Sequence, residues 1–388
     1  MSAHDDVILQ HLIDPELCIR CNTCEETCPS NAISNDSRNY VVDVDICNGC
    51  NACMNPCPTG AIDSWRPVPR QLAYTRQQQF EWSVLPEAPS DIVAGPGEAQ
   101  GRARGRADGS VVVENRFTPG RPAVARVVEN RCVTPHSGAA IHHVVLDVSE
   151  DDFPFLEGQS VGVLAHGTDP LGAPHAMRLY SVACSRDGEG GKAGRLALTV
   201  KRVVENRGGE EVRGICSNFL CDLRPGEAVE IAGPYGTDFL MPDDTTAPLI
   251  MICTGTGVAP MRAMLDRSRT LPSPGAAQLL FYGGRTPEEI AYFDELQALS
   301  GATLDSSFAF SRQAGQPKRY VQDLLRERHD VLAQVLAREN AHVYICGLRG
   351  MEAGVFEALG EICERHGIDW GALEVAMTEQ HRLHVETY

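Results

Sequence analysis

Hydrophobic patterning divides this chain into unlike stretches. From about Val124 to Met241 apolar residues alternate with polar ones in short runs, at 141–146, 160–164 and 195–201, separated by Gly and Pro clusters. A period of two over such lengths predicts strands, and several in succession predict an antiparallel β-barrel, placed at 116–245. Within it, residues 214–226 read as a short helix capped by Ser217 and ending at a turn. From Pro248 the pattern changes to buried strand, loop and helix: 249–253, the turn at 254–260, then helix over 261–269. Strand-like runs follow at 278–283 and 341–347, separated by helical stretches. This predicts a doubly wound α/β domain over 246–388, with a dinucleotide crevice at the strand carboxyl ends.

Upstream the periodicity stops. Pro67, Pro69, Pro86, Pro89 and Pro96 break residues 67–115, which are otherwise polar or small, and a flexible linker is expected there. Before it, residues 1–66 carry an internal repeat. Cys18-x2-Cys21-x2-Cys24-x3-Cys28-Pro29 returns 29 residues later as Cys47-x2-Cys50-x2-Cys53-x3-Cys57-Pro58. Thiolates at this spacing wrap a cubane, and the fourth cysteine of each run ligates the other run's cluster. Cys18, Cys21, Cys24 and Cys57 are therefore expected to hold one [4Fe–4S] cluster, and Cys47, Cys50, Cys53 and Cys28 a second. Zinc is the alternative, but structural zinc sites usually use two separated Cys pairs. An α+β two-cluster ferredoxin domain is the expectation for 1–66.

Composition narrows the class. The chain has 388 residues, 43% of them hydrophobic, and no apolar run of membrane-spanning length. The start, Met-Ser-Ala-His-Asp-Asp, has no basic region followed by an apolar one, which predicts a cytoplasmic protein. A formal charge of −18 disfavours nucleic acid and suits docking to a protein with basic surface. Fifteen cysteines without an export signal point to metal ligands and reduced thiols. Oligomeric state has no signature here.

Arg178-Leu179-Tyr180-Ser181 supplies candidate chemistry between the cysteine runs and the glycine turn. On a strand Arg178 and Tyr180 share a face; an arginine fork suits a pyrophosphate and a tyrosine plane suits an isoalloxazine. A flavin takes a hydride as an electron pair and gives electrons up singly, so it belongs between an iron–sulfur segment and a nucleotide crevice.

Together the motifs resemble the plant-type ferredoxin–NADP+ reductase family from roughly Val111 onward. They are Glu157-Gly-Gln-Ser-Val-Gly-Val, Arg178-Leu-Tyr-Ser, Cys216-Ser-Asn-Phe-Leu-Cys-Asp-Leu, Gly255-Thr-Gly-Val-Ala-Pro, Cys346-Gly-Leu-Arg-Gly-Met-Glu and Val385-Glu-Thr-Tyr. The resemblance implies that Arg178, Leu179, Tyr180, Ser181, Ile215, Cys216, Ser217 and Thr254 hold FAD, with Thr199, Val200 and Lys201 beside it. Gly255, Gly257, Gly347 and Leu348 would border the nucleotide. Ser311, Arg312, Lys318 and Tyr320 match the family pattern for an adenosine 2′-phosphate, which implies NADPH. Ser181, Cys346, Glu386 and Tyr388 match its hydride-transfer surroundings, Tyr388 covering the flavin.

Two departures stand out. The family tyrosine that stacks on the FAD adenine is missing near Glu205, and a two-cluster ferredoxin domain is fused at the amino terminus. The fused form implies an NADPH-dependent reductase whose acceptor is a separate di-iron oxygenase or epoxidase component. A general NADPH:ferredoxin oxidoreductase is the alternative.

Overall fold

A computed structural model describes residues 7–388 apart from 37, 51, 55–56, 63, 87–101, 169–171, 173, 272–275 and 302–303. The sequence repeat reappears as backbone geometry in the first segment. Strands β1 (Val7–Leu12) and β4 (Ser64–Pro69) pair antiparallel, as do β2 (Ile33–Asn35) and β3 (Tyr40–Val42), and helix α1 (Thr23–Glu26) carries Cys24. Each half bonds across to the other: Asp14 N–H donates to the Ala61 carbonyl (2.7 Å), and Asp43 N–H to the Ala32 carbonyl (2.8 Å). Both pairs are 29 residues apart in register. Left-handed backbone recurs with the same offset, at Arg20 and Gly49 and again at Asn31 and Gly60. Ile13, Ile33, Val42, Ala61 and Ile62 form the small core between the cysteine runs.

The stretch expected to be a linker is folded in its described parts. Helix α2 (Arg76–Phe80) is started by a Thr75–Gln78 capping box, which the proline count concealed. The helix belongs with the cysteine segment. Buried Gln79 exchanges hydrogen bonds with both backbone groups of Val42, and Asn39 donates to the Gln79, Phe80 and Trp82 carbonyls. Trp82 folds edge-on against Tyr74. Pro89 and Pro96 lie outside the described residues. The hairpin β5 (Arg102–Gly105) and β6 (Val111–Glu114) precedes the barrel and is tied to it. Arg106 bonds the Met241 carbonyl and Asp243, and Asp108 bonds Arg186 at 3.0 Å.

Alternating residues then build the antiparallel barrel. Its strands are β7 (Ala123–Cys132), β8 (Ile141–Asp147), β9 (Ser160–Leu164), β10 (Arg178–Ser181) and β11 (Arg195–Lys201), then the hairpin β12 (Val204–Arg207) and β13 (Glu210–Arg213), and β14 (Ala228–Tyr235). The six-stranded sheet runs β10-β9-β14-β7-β8-β11. Val182, just past β10, bridges Leu198 of β11, so the sheet closes on itself. Helix α3 (Ile215–Asp222) plugs the interior with Cys216, Leu220 and Cys221. Asn130 of β7 satisfies its last carbonyls at Leu220 (2.9 Å) and Leu223 (2.7 Å). The helix start differs from expectation. Gly214 is the N-cap, while Ser217 sits one turn in, donating to the Gly214 carbonyl and accepting from Val203 N–H.

The last domain is a five-stranded parallel sheet. In chain order it holds β15 (Leu249–Thr254), α4 (Val258–Thr270), β16 (Gln278–Gly284), α5 (Phe293–Leu299), β17 (Asp305–Phe310), α6 (Val321–Glu327), α7 (His329–Leu336), β18 (His342–Gly347), α8 (Glu352–Arg365), α9 (Trp370–Glu379) and β19 (Leu383–Thr387). The strand order is β17-β16-β15-β18-β19. Helix α4 starts earlier than the sequence pattern suggested, because Pro260 fits a first turn that needs no N–H there. On central β15, Ile250 and Ile252 face one core, and Leu249, Met251 and Cys253 the other; a sheet covered on both faces needs this unbroken apolar run. Among the described residues no helix is long and apolar enough to cross a membrane.

Candidate active site

The eight repeat cysteines gather into two groups. Cys18, Cys21, Cys24 and Cys57 line one cavity with Tyr40, Thr59 and Ile62. Cys28, Cys47, Cys50 and Cys53 line another with His11, Ile33 and Val42. Each cavity takes three thiols from one run and the fourth from the other. Burial pushes Cys18 and Cys53 up to about 11 and Cys24 up to about 12, and neighbouring thiols of the same cavity add to the rise. Burial works to raise Cys28 as well, but hydrogen bonds from Ser30 and from the Ala32 N–H hold it below the ordinary thiol range. Four thiol ligands converging on one cavity are the donor set of an iron–sulfur centre, whose cationic core would stabilise them as thiolates. Ala32 N–H already points at Cys28 Sγ (3.2 Å). Sequence reasoning missed His11, which is 3% exposed, reaches Cys53 Sγ with Nδ1 (3.9 Å) and turns Nε2 to the Ile62 carbonyl.

The barrel face offers different chemistry. β10 pairs with β9, Arg178 opposite Val163 and Ser181 opposite Ser160. Arg178 is exposed; Tyr180 packs on the barrel core, where its hydroxyl meets Cys216 of α3. Ile215 is exposed on the first turn of α3, an eight-residue helix whose amino end is capped by no side chain. An exposed arginine, a tyrosine plane and uncapped helix N–H groups match the parts of a flavin nucleotide. Two expected neighbours do not present side chains there. Val200 is buried in the barrel core, and Thr199, 4% exposed, bonds the Tyr292 hydroxyl at 2.7 Å. Of that trio only the Lys201 side chain is exposed.

At the carboxyl end of the parallel sheet several expected residues do meet. Gly257 is required by packing, since a Cβ there would lie 2.1 Å from the Cys346 carbonyl oxygen. Gly347, at φ 142°, lies against Thr254 just as closely, and Thr254 Oγ1 accepts from Leu348 N–H (3.0 Å). Cys346 is buried beside Glu386, its register partner across β18 and β19. Tyr388 N–H donates to the Gly347 carbonyl (2.9 Å), and its hydroxyl lies 2.6 Å from Thr256 Oγ1. Desolvation raises the Glu386 carboxyl to about 7, and the Asp238 carboxylate adds to it. Ser181 ends β10 in the barrel, opposite Ser160. Ala259 of α4 packs into the barrel core, so the glycine turn faces the barrel.

The expected phosphate subsite lies on the loop after β17. Ser311 N–H and Oγ both bond the Gly284 carbonyl, and Arg312 N–H bonds that of Arg285 (2.7 Å). Arg312, Lys318 and Tyr320 are exposed, whereas Arg319 pairs with Glu327. Arg285, just past β16, holds this loop through its backbone carbonyl while its guanidinium lies 3.9 Å from Glu289, a support that motif reasoning missed because it comes from another strand.

Known families match both ends of the chain. The family model of an oxidoreductase NAD-binding domain matches residues 251–357, and that of a 4Fe-4S dicluster domain matches residues 11–63. The chain is 37% identical over 288 residues to a ferredoxin–NADP reductase of Thermosynechococcus vestitus, covering 71% of this chain and 75% of that protein. It is equally 37% identical to the chloroplastic leaf isozyme 1 of ferredoxin–NADP reductase from Oryza sativa subsp. indica, covering 71% and 80%. A solved ferredoxin–NADP+ reductase from Plasmodium falciparum with 2′P-AMP shares the fold, with a TM-score of 0.56 at 21% identity over 71% of this chain and 99% of that one.

Proposed function

This chain belongs to the ferredoxin–NADP reductase family, and from that premise we propose that it delivers electrons from NADPH, by way of FAD and two [4Fe–4S] clusters, to a separate oxygenase. Membership makes it an NAD(P)H-dependent FAD oxidoreductase with a 4Fe-4S domain at its amino end. When bound, FAD takes up the hydride as an electron pair, and each cluster carries one electron onward. The residues divide the labour. Arg178 and the amino end of α3 would hold flavin phosphate, and Tyr180 would supply an aromatic surface for its ring system. Ser311, Arg312 and Lys318 compensate a 2′-phosphate, which favours NADPH over NADH; the Plasmodium relative, solved with a 2′-phosphorylated adenosine nucleotide, supports that choice. Tyr388 occupies the nicotinamide position until the nucleotide displaces it. Cys346, Glu386 and Ser181 surround the hydride path, and the eight cysteines hold the clusters.

The observation that carries this reading is the gathering of Cys18, Cys21, Cys24 and Cys57 around one cavity and Cys28, Cys47, Cys50 and Cys53 around another, in a chain that also carries the Thr254–Gly257 turn against Cys346 and Tyr388. For the acceptor we propose the di-iron benzoyl-CoA 2,3-epoxidase of aerobic benzoate degradation, on the resemblance of the fused arrangement to that system's reductase component. The second reading, a general NADPH:ferredoxin oxidoreductase, rests on the names of the relatives. NADPH added under argon should bleach the flavin spectrum and then raise the EPR signal of reduced clusters. A flavin left oxidised sinks the proposal. Reoxidation by purified epoxidase component, compared with a free ferredoxin, separates the two acceptors.

A further inference from the structure

The cysteine segment touches the rest of the molecule through its first run. Ile19, between Cys18 and Cys21, packs on the buried cluster of Met177, Ala232 and Tyr235, against which Leu179 of the Arg178 strand also packs. Its carbonyl accepts from Arg178 Nη1 at 3.3 Å. Glu26, on the helix that carries Cys24, pairs with Arg349 at 3.2 Å. The Arg349 backbone N–H in turn donates to the Tyr388 carbonyl (3.0 Å). Glu16 packs so closely on Gly120 that a Cβ there would stand 2.7 Å from its carboxylate. The two anchoring sites, Arg178 and Arg349, flank the positions proposed above for flavin phosphate and nicotinamide. The cysteines of the two runs are alike in exposure, Cys21 and Cys50 both being exposed, but Ile46 of the second run stands 46% exposed where its repeat counterpart Leu17 is partly buried.

We propose, on the strength of the function proposed above, that the ferredoxin domain is docked in cis at the flavin pocket by Ile19 and the Glu26–Arg349 pair. The Cys18–Cys21–Cys24–Cys57 site is then turned to the flavin, and the Cys28–Cys47–Cys50–Cys53 site is presented to the outside acceptor. Both contacts are needed for a physical reason. Ile19 supplies apolar burial at the seam, and the ion pair, being exposed, fixes orientation more than affinity. Electron count agrees: one hydride carries two electrons and two cluster sites take one each, the proton passing to solvent.

The test uses the full-length holoprotein. Ile19→Asp places a charge in the apolar seam, and Glu26→Arg sets two cations against each other. Each should enlarge the radius of gyration in X-ray scattering and slow NADPH-driven cluster reduction at least tenfold. Flavin bleaching by NADPH should stay as in the parent. Glu26→Arg combined with Arg349→Glu should recover compactness and rate. Full iron content with parental scattering and parental rate in both single variants overturns the docking; should Ile19→Asp lose iron, Glu26→Arg decides alone. A parent protein whose flavin NADPH fails to bleach speaks against the proposed function instead, whereas bleaching lost in the variants alone overturns the docking as a contact separate from nucleotide reduction. Orientation is read by EPR. In Cys28→Ser the remaining cluster should still be reduced by NADPH, whereas in Cys57→Ser the remaining one should respond to dithionite and only slowly to NADPH. The reverse pattern overturns the assignment.

Discussion

The hydroxyl of Tyr388 lies 2.6 Å from the hydroxyl of Thr256, in the glycine turn that follows β15. With its amide bonded to Gly347, this tyrosine is held by both ends of the crevice where a nicotinamide would enter. Tyr388→Ser removes ring stacking worth about 0.5–1.5 kcal/mol beyond area burial. NADP+ should therefore bind up to roughly tenfold tighter. NADH activity should gain more, because NADH lacks a 2′-phosphate anchor. Single-turnover flavin reduction and nucleotide titration check this; unchanged binding and flat NADH activity would place Tyr388 outside the nucleotide's path.

Arg312 and Arg285 meet through the Arg312 N–H and the Arg285 carbonyl, which leaves the exposed Arg312 guanidinium at the edge of the subsite. Arg312→Ala should cost about 1.5–3 kcal/mol toward NADPH, roughly 10–150-fold in kcat/KM. Turnover with NADH should hardly move. Equal losses with both nucleotides would assign Arg312 to the fold.

Arg262 of α4 is 8% exposed and joins the two large domains. It donates to the Ala183 carbonyl (2.6 Å), pairs with Glu189 (2.8 Å) and Glu295 (3.0 Å), and lies 4.9 Å above the Tyr292 ring. Burial works to raise the Glu189 carboxyl, but hydrogen bonds from His143 and Arg262 hold it at about 2. Arg262→Ala leaves that carboxylate without its main partner, at a cost of about 3–5 kcal/mol. Calorimetry should show the barrel and nucleotide domains melting earlier and less cooperatively. An unshifted transition would mean the network contributes nothing net.

Glu386 yields a pH prediction. Its folded value of about 7 stands above the usual carboxylate range, so the folded chain holds this proton more tightly than the unfolded one. The resulting stability is fully present below about pH 4.5 and is lost as pH rises through about 7. Between pH 5 and pH 8 the loss is on the order of 2–3 kcal/mol. Glu386→Gln should flatten that slope, and denaturant unfolding at pH 5 and pH 8 measures it. A parental slope in the variant would show that another group titrates.

Several features of the fold are legible in the order of residues. The 29-residue cysteine repeat survives as paired backbone bonds at Asp14 and Asp43, and the apolar run at Leu249–Thr254 is the central strand. Other expectations fail for local reasons. Ser217 suits a cap by residue type, but Gly214 takes that position because Ser217 is spent on Val203 and Gly214 backbone. Prolines around residue 75 suggest a linker, yet Gln10 and Gln79 bond its backbone to the cysteine segment. A glutamine with such a role has no signature of its own.

Motif spacing and hydrophobic period by themselves determined which chemistries this chain can hold, because both are properties of a few neighbouring residues. Cysteines three apart converge wherever the local backbone lets them, and a strand of alternating residues finds a core on one side. Which face of the ferredoxin segment meets the barrel was decided only by tertiary structure. Ile19 and Arg178 are 159 residues apart, and Glu26 and Arg349 are 323 apart. No local period encodes such a contact; it exists only after each domain has folded and presented a surface of matching shape and charge.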